Sequence, residues 1–252
     1  MDREELQKLL RSVRSGALPV ADALESVARL GTGDLGFARI DHHRSVRRGM
    51  PEVVFGAGKS REHLLGIVEH IVRRRATLLV TRLTAEVGEE LAARHPDGTW
   101  NPLARTFLRH RPGRRARGQR GFLIVSAGTA DLPVAEEAAV TAEALGLAPD
   151  RLFDVGVAGI HRLLEQSDKL RRARVIAVVA GMEGALPSVV AGLVGVPVIG
   201  VPTSVGYGAA LGGFTALFGM LTSCAGGMTV VNIDNGYGAA SAARLILSGK
   251  AK

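Results

Sequence analysis

Side chains suited to chemistry cluster in glycine-rich segments in the second half of the chain. The first segment holds Ser126, Gly128, Thr129 and Asp131, just before Pro133. Proline suits the first turn of a helix, an aspartate can cap that helix, and a helix N-terminus offers free N–H groups to an anion. The segment predicts a phosphate cradle, or else an ordinary strand–turn–helix connection with a capped terminus.

A glutamate stands between glycines in the second segment, where the chain reads Gly181-Met182-Glu183-Gly184. Glu183 can act as a general acid or base if burial raises its pKa. The alternative is that it is only an acidic residue at the start of a helix. The third segment contains Thr203, Ser204 and Gly206, which are candidates for substrate contacts.

Cys224 is the single cysteine, and it lies between the end of a helical pattern and Gly226-Gly227. One cysteine excludes an internal disulfide and a cysteine-based zinc site. A lone cysteine is most often a small buried hydrophobe. A helix C-terminus does not stabilise a thiolate, so a nucleophilic role needs a neighbouring cation, a positively charged ligand ring or a base. Spacing alone favours the buried hydrophobe.

The elements that must position these residues alternate between strand and helix after Gly121. The strand candidates are apolar throughout, which indicates a parallel sheet covered on both faces. They are residues 122–126, 152–157, 174–179, 197–201 and 229–233, with helical patterns at 133–145, 160–171, 185–194, 210–222 and 237–247. We predict an α/β fold, a three-layer doubly wound parallel sheet of flavodoxin-like type. Ligands bind beyond the carboxyl ends of such strands, which is where the three segments fall.

The first hundred residues predict a smaller α+β domain. Helical spacing occurs at 3–14, 18–30, 61–74 and 84–94, and strand patterns occur near Val53 and at 77–82. We therefore expect an N-terminal domain at 1–100, an Arg/Pro-rich linker at 101–120 and a catalytic domain at 121–252. The linker contains a run of arginines: Arg105, Arg109, Arg111, Arg114, Arg115, Arg117 and Arg120. It is either a solvated connection or a basic rim that attracts a polyanion.

Two motifs in the N-terminal part do not predict a binding site. Gly58-Lys59-Ser60 resembles the end of a phosphate-binding P-loop, but that motif requires a glycine where Val53 stands. His42 and His43 are adjacent, so they share neither a helix face nor a strand face, and we predict no metal site there.

Composition limits the function classes. The 252 residues are 46% hydrophobic and 22% charged, as expected for a core-forming protein, and the net charge of +8 suits an anionic partner. The N-terminus has no apolar signal-peptide region and no segment is predicted to span a bilayer, so we expect no membrane association and a cytoplasmic location. A nucleic-acid-binding protein that uses the arginine run is disfavoured, because the glycine-rich loops would then have no role.

Several of these segments resemble the LarB family, pyridinium-3,5-biscarboxylic acid mononucleotide synthase of nickel-pincer cofactor biosynthesis. The similar stretches are 128–138, 153–159, 181–187 and 202–208. The N-terminal signature also fits, with Asp41, Arg44, Gly49, residues 51–56, Gly58 and Lys59. The C-terminal domain is similar to PurE-type aminoimidazole ribonucleotide carboxylases. Ala130 replaces a serine usual in the family, and the histidine loop of PurE-type enzymes is missing, which favours LarB.

The resemblance implies carboxylation of nicotinic acid adenine dinucleotide and cleavage of its phosphoanhydride, which releases AMP. Cys224 would add to the pyridinium ring, Glu183 would remove the ring proton, and Asp131 would position the substrate or a metal-bound water. Lys59 and Arg44 would contact phosphate or carboxylate groups. The resemblance also implies carbon dioxide or bicarbonate as co-substrate, Mg²⁺ at the phosphates and a homo-oligomer, an octamer. The alternative function is a PurE-type carboxylase or mutase.

Overall fold

A computed structural model describes residues 3–28, 32–42, 44, 50–111 and 118–249. The contacts between Cα atoms divide the chain into two compact units. The N-terminal unit comprises residues 1–100 and 107–114, and the C-terminal unit comprises residues 101–106 and 115–252. Among the described residues, no helix is long and apolar enough to cross a membrane.

The N-terminal unit is built around a mixed four-stranded sheet. Its strand order is β3 (Val53–Phe55), β4 (Leu78–Thr81), β6 (Thr106–Arg109) and β5 (Thr99–Asn101). Strands β3 and β4 are parallel, and β4 and β6 are antiparallel. The unit also contains α1 (Arg3–Arg14), α2 (Val20–Ala28), α3 (Arg61–Arg73) and α4 (Ala85–Arg94). The expected helix at 18–30 is therefore present over 20–28, and residues 29–31 lie outside the described part of the chain.

Helix α3 begins where the sequence predicts, because the Ser60 hydroxyl accepts a hydrogen bond from the N–H of His63. Its buried face, which includes Leu64, Val68 and Ile71, packs with β3 and β4 in a single apolar core. Lys59 precedes the helix and is exposed.

A hairpin that the sequence patterns did not predict packs on α3. It is formed by β1 (Thr32–Asp34) and β2 (Arg39–Asp41), which pair antiparallel. Just beyond it, His42 Nε2 lies 2.9 Å from His70 Nε2. The ring centroids are 5.0 Å apart, so the two nitrogens face each other head-on and share an N–H···N hydrogen bond. Burial, with the charge of Arg74, lowers the pKa of His42 to about 4, which keeps this pair neutral at pH 7. His43 lies outside the described residues.

The prediction of a linker at 101–120 is wrong for the first half of that range. Strand β6 is buried at all four positions and Phe107 is fully inaccessible. Arg109 does not project into solvent, because its guanidinium forms two hydrogen bonds with Asp97, at 2.8 and 2.7 Å. Arg111 pairs with Glu5. Arginines that the sequence suggested were a solvated run are thus partly structural. Arg114, Arg115 and Arg117 lie outside the described residues.

The C-terminal unit contains the predicted five-stranded parallel sheet. Its order is β11 (Met228–Val230), β10 (Val198–Pro202), β9 (Val175–Ala180), β7 (Phe122–Ser126) and β8 (Asp150–Leu152). Every neighbouring pair is parallel. The three central strands are buried at every position, which explains why they are apolar on both faces.

Helices cover both faces of this sheet, so the three-layer prediction is confirmed. One face packs against α5 (Leu132–Ala144) and α10 (Gly236–Ser248) through alanines such as Ala138 and Ala240. The other face packs against a larger group of helices. These are α6 (Ile160–Leu164), α7 (Ser167–Arg172), α8 (Leu186–Leu193) and α9 (Phe214–Leu221).

The strand expected at 229–233 covers residues 228–230, and the helix expected at 210–222 covers residues 214–221. Two further elements differ more. The strand expected at 152–157 covers residues 150–152 instead, because Asp154 has a left-handed backbone with φ of 59° and ends the extended chain. The helix expected at 160–171 is broken into α6 and α7 between residues 164 and 167.

Substituting Gly236 by alanine is expected to destabilise the α5–α10 layer. A Cβ atom there would lie 2.4 Å from the carbonyl oxygen of Val134 and 2.8 Å from the N atom of Ala138. Relieving that overlap costs about 1–3 kcal/mol, so the midpoint of thermal unfolding, followed by circular dichroism, should fall.

The matched control is Gly192→Ala. Gly192 is an exposed residue of α8 with no atom within 4 Å of an added Cβ. This variant should be as stable as the wild type or more stable, by up to about 1 kcal/mol. Equal midpoints for the two variants would contradict the close packing of α5 on α10.

Candidate active site

The carboxyl ends of all five strands of the C-terminal sheet point to one edge, because the strands are parallel. The connections that leave β7, β9 and β10 at this edge are the three glycine-rich segments singled out from the sequence. The candidate residues of these segments are therefore brought together on one side of the sheet, as ligand-binding residues of such folds are.

Asp131 is the centre of this edge. Its side chain is only 4% exposed. One carboxylate oxygen, Oδ1, accepts a hydrogen bond of 2.7 Å from the Thr203 hydroxyl, and Oδ2 accepts one of 2.9 Å from the N–H of Gly128. Gly181 also hydrogen bonds to this carboxylate through its backbone. The Asp131 carboxylate therefore fixes the three segments relative to one another.

Burial raises the pKa of the Asp131 carboxyl above its usual value, although the hydrogen bonds from Thr203, Gly128 and Gly181 act in the opposite direction. The negative charge of Asp234 raises it further. A neutral side chain would avoid the cost of burying charge, so the hydrogen bonds to Asp131 are needed to offset that cost.

Gly181 is required by packing at the point where β9 ends. A Cβ atom there would lie 2.4 Å from the carbonyl oxygen of Val205 and 2.6 Å from the Thr203 hydroxyl. No side chain fits between these two segments, so the third segment can reach Asp131 only because residue 181 is glycine.

Ser126 and Thr203 are fully buried, so their hydroxyls support neighbouring segments within the chain. The Ser126 hydroxyl accepts a hydrogen bond of 3.3 Å from the N–H of Asp154. This contact stabilises the left-handed backbone of Asp154, whose carboxylate pairs with Arg162 at 2.8 Å. Sequence reasoning missed both residues of that ion pair. The signal available was an aspartate inside the otherwise apolar strand predicted at 152–157.

Asp234 has a similar role at the end of β11. Its backbone φ is 55°, and its carboxylate accepts a hydrogen bond of 2.8 Å from the N–H of Ser204. Thr203 and Ser204 are consecutive, so each is held by a carboxylate from a different strand, Asp131 and Asp234 respectively. The conformation of the third segment is therefore fixed within the chain.

The residues that remain open at this edge are Thr129, Glu183, Ser204 and Gly206, all of which are exposed. These residues can contact a ligand directly. The buried residues are different, because they support the backbone of the segments; they are Ser126, Asp131, Gly181 and Thr203. The burial that a raised pKa of Glu183 would require is not provided by the described residues of the single chain.

Cys224 lies in the turn between α9 and β11 and is exposed. The buried-hydrophobe interpretation favoured by spacing alone is therefore wrong. Its thiol is open to a ligand or to a reagent in solution.

Helix α9, which leads to Cys224, packs directly on the segment that carries Glu183. A Cβ atom at Gly219 would lie 2.6 Å from the carbonyl oxygen of Glu183, and one at Gly184 would lie 2.7 Å from the carbonyl oxygen of Ala216. The backbone of α9 is therefore in contact with the segment that carries Glu183.

Lys59 and Arg44 belong to the N-terminal unit. Lys59 is exposed, and Arg44 is half-buried, with Nη1 3.9 Å from a carboxylate oxygen of Glu52. The charge of Arg44 is thus shared with a carboxylate of its own domain.

Two family models match this chain. One is described as a LarB/PurE-like N-terminal domain and matches residues 32–111, and the other is described as AIR carboxylase and matches residues 122–252. The second covers more than half of the chain. The protein belongs to the AIR carboxylase family. Its two domains correspond to a LarB with a PurE-like C-terminal domain, which is the resemblance drawn from the sequence.

Two relatives come from Methanocaldococcus jannaschii. An uncharacterised protein is 40% identical over 215 residues, which is 82% of this chain and 83% of the relative. An N5-carboxyaminoimidazole ribonucleotide mutase is 36% identical over 129 residues, which is 50% of this chain and 77% of the relative. The second match links the AIR carboxylase domain to carboxyl-transfer chemistry in a named relative.

Replacing Thr203 by valine is expected to destabilise the AIR carboxylase domain by about 1.5–3 kcal/mol at pH 7, since a hydrogen bond to a buried charged group is lost. Burial raises the pKa of Asp131 in the folded state, so the cost of the buried carboxylate appears as the pH rises through that value. The penalty of Thr203→Val should therefore shrink as the pH falls and Asp131 becomes protonated. Unfolding by urea at several pH values measures it.

Thr141→Val is the control. Thr141 is a fully buried residue of α5 whose hydroxyl has no hydrogen-bond partner among the described residues. This variant should lose no stability at any pH. A Thr203→Val penalty that is independent of pH would show that the hydroxyl does not act through Asp131.

Proposed function

We propose that this protein carboxylates the pyridinium ring of nicotinic acid adenine dinucleotide and hydrolyses its phosphoanhydride, giving pyridinium-3,5-biscarboxylic acid mononucleotide and AMP. The observation that carries this proposal is that the exposed Cys224 follows a helix whose backbone contacts the segment of the exposed Glu183. Membership of the AIR carboxylase family and the LarB-type N-terminal domain support it.

The chemistry explains why a thiol is needed. A pyridinium ring is electron-poor and does not attack carbon dioxide, which is an electrophile. Addition of the Cys224 thiolate to a ring carbon breaks aromaticity and leaves an enamine, and the enamine carbon then forms a bond to carbon dioxide. Glu183 accepts the proton from that carbon, and the C–S bond breaks to restore the ring. A ring hydrogen is replaced by carboxylate, with one proton released and no net oxidation.

The ring's positive charge also favours a thiolate beside it. This supplies the activation that the end of α9 does not provide. The exposure of Glu183 and Cys224 in the single chain means that the substrate itself, or a second copy of the chain, must exclude water from the reacting atoms.

Magnesium is proposed only as a partner of the substrate phosphates. Among the described residues, no three His, Cys, Asp or Glu side chains converge on one point. Both oxygens of Asp131 already accept hydrogen bonds from Thr203 and Gly128. The described residues thus do not fit a protein cage for Mg²⁺, and no step is assigned to it. We propose that the exposed hydroxyls of Thr129 and Ser204 contact phosphate. Lys59 and Arg44, which belong to the N-terminal domain, are proposed to contact anionic groups of the substrate.

A PurE-type reaction on an aminoimidazole ribonucleotide is the second candidate. It is favoured by the likeness to the N5-carboxyaminoimidazole ribonucleotide mutase. Glu183 stands in the segment where PurE-type enzymes are expected to have a histidine, and such a reaction needs no thiol. Dependence on Cys224 therefore separates the two candidates.

Carboxylation should depend on Cys224. Wild-type protein incubated with nicotinic acid adenine dinucleotide, radiolabelled bicarbonate and Mg²⁺ should form a labelled mononucleotide and AMP. In Cys224→Ala the rate of label incorporation should fall by at least about 1000-fold, since substrate binding alone cannot replace a nucleophile. Product analysis by chromatography and mass spectrometry measures both products.

The fold control is the unfolding midpoint of Cys224→Ala, which should match the wild type because the side chain is exposed. A wild-type protein that turns over an aminoimidazole ribonucleotide, with undiminished activity in Cys224→Ala, would establish the second candidate instead.

We further propose that the chain forms a homo-oligomer, an octamer by resemblance. Large apolar side chains are exposed beside the third segment and along α9. They are Tyr207, Leu211, Phe214, Phe218 and Leu221, each at least half exposed. A patch of this kind marks an interaction surface, and a second copy placed here would enclose the exposed Glu183 and Cys224. We also propose a cytoplasmic location, where a nucleophilic thiol stays reduced.

The variant Phe218→Glu should dissociate the oligomer, because a carboxylate buried in an apolar interface costs several kcal/mol. Sedimentation or light scattering measures the mass. Leu245→Glu, at a half-exposed position of α10, is the control and should leave the mass unchanged. A wild-type protein that is monomeric at micromolar concentration would refute the oligomer.

A further inference from the structure

The turn that carries Cys224 is closed by a serine hydroxyl. Ser223 Oγ accepts a hydrogen bond of 3.2 Å from the N–H of Ala225, so Cys224 is the middle residue of a three-residue loop. Ala225 packs against the apolar core on this face of the sheet, whereas Cys224 is exposed. With both neighbours of Cys224 anchored, the backbone that directs its thiol is fixed.

A second serine ties this turn to another element. The Ser188 hydroxyl donates a hydrogen bond of 2.7 Å to Ser223 Oγ. Ser188 lies in the first turn of α8, the helix that begins directly after the segment containing Glu183. The hydroxyl pair therefore joins the Cys224 turn to the element that positions Glu183.

The other contacts between these elements lie further from Cys224. Gly184 meets Ala216 and Gly219 meets the carbonyl of Glu183, both through backbone atoms along α9. The helix ends at Leu221, and its last backbone hydrogen bonds run from the N–H of Thr222 to the carbonyl of Phe218 and from the N–H of Ser223 to the carbonyl of Met220. The Ser188–Ser223 hydrogen bond is the side-chain contact that continues the alignment from the helix into the turn.

We propose that Ser188 and Ser223 are positioning residues that set the Cys224 thiol relative to the Glu183 carboxylate. The inference rests on the proposed function, in which the thiol adds to the ring and the carboxylate removes a proton from that same ring. Both groups must be aligned on one small substrate, and a misplacement of about 1 Å can reduce a rate by roughly 100-fold.

The role predicts a specific kinetic signature. Ser188→Ala and Ser223→Ala should each lower kcat for carboxylation by about 10- to 100-fold while changing KM for the dinucleotide less than about twofold, because alignment matters in the transition state and not in binding. The double variant should lose little more than either single variant, since the two hydroxyls act as one unit. Ser188→Thr, which keeps the hydroxyl, should retain most of the activity.

A second measurement separates position from thiol reactivity. The rate at which iodoacetamide alkylates Cys224 in the substrate-free full chain should stay within about twofold of wild type across pH 6–9 in both alanine variants, because the thiol is already exposed. Ser248→Ala is the control for the loss of a hydroxyl. That residue lies at the end of α10, and its hydroxyl bonds only to the carbonyl of Leu245 in its own helix.

Each outcome decides the question. A wild-type kcat in Ser188→Ala and Ser223→Ala overturns the positioning role. A fall in the alkylation rate of Cys224 that equals the fall in kcat also overturns it, because the serines would then act on the reactivity of the thiol itself. A fall in kcat that Ser188→Thr fails to restore also overturns it. A folded wild-type protein with no carboxylation of the dinucleotide refutes the proposed function, and that result is distinct from normal turnover in the serine variants.

Discussion

A single buried carboxylate organises the catalytic edge of this protein. Asp131 accepts hydrogen bonds from the Thr203 hydroxyl and from the backbone of Gly128 and Gly181, so one charge connects the segments that follow three strands. Burial raises its pKa, which shows that the arrangement costs stability even with these partners in place. Gly181 permits the close approach that the arrangement needs, because any side chain there would overlap Thr203. The loop geometry of the AIR carboxylase domain depends on this contact.

The polar residues at this edge have two different roles. Buried hydroxyls and carboxylates hold the backbone, and exposed residues are left to meet the ligand. Asp154 and Asp234 belong to the first group in spite of their partial exposure, since each adopts a left-handed backbone that its neighbours stabilise. Backbone strain of this kind is concentrated at functional edges of proteins, where the rest of the domain offsets it. Glu183 belongs to the second group.

The sequence predicts the sheet well because its central strands are buried on both faces, so that runs such as residues 175–180 are apolar without a break. It predicts β6 badly, because Arg109 has the appearance of a solvated residue until its ion pair with Asp97 is known. The candidate site shows the same limit. Position in a glycine-rich segment identifies Ser126, but only the three-dimensional structure shows that its hydroxyl faces Asp154 and not a ligand. Partners distant in sequence determine what a polar side chain does, and local patterns do not encode them.

The five-stranded sheet has short outer strands. Its edges, β8 and β11, contain three residues each, whereas the central strand β9 contains six. An edge strand exposes unpaired N–H and C=O groups that can recruit another chain into an intermolecular sheet, and a short edge offers too few of them to hold a growing aggregate. Parallel sheets form slowly because their contacts are distant in sequence, so partly folded chains persist during synthesis. The brevity of β8 and β11 thus protects the protein during the interval before its helices cover the sheet.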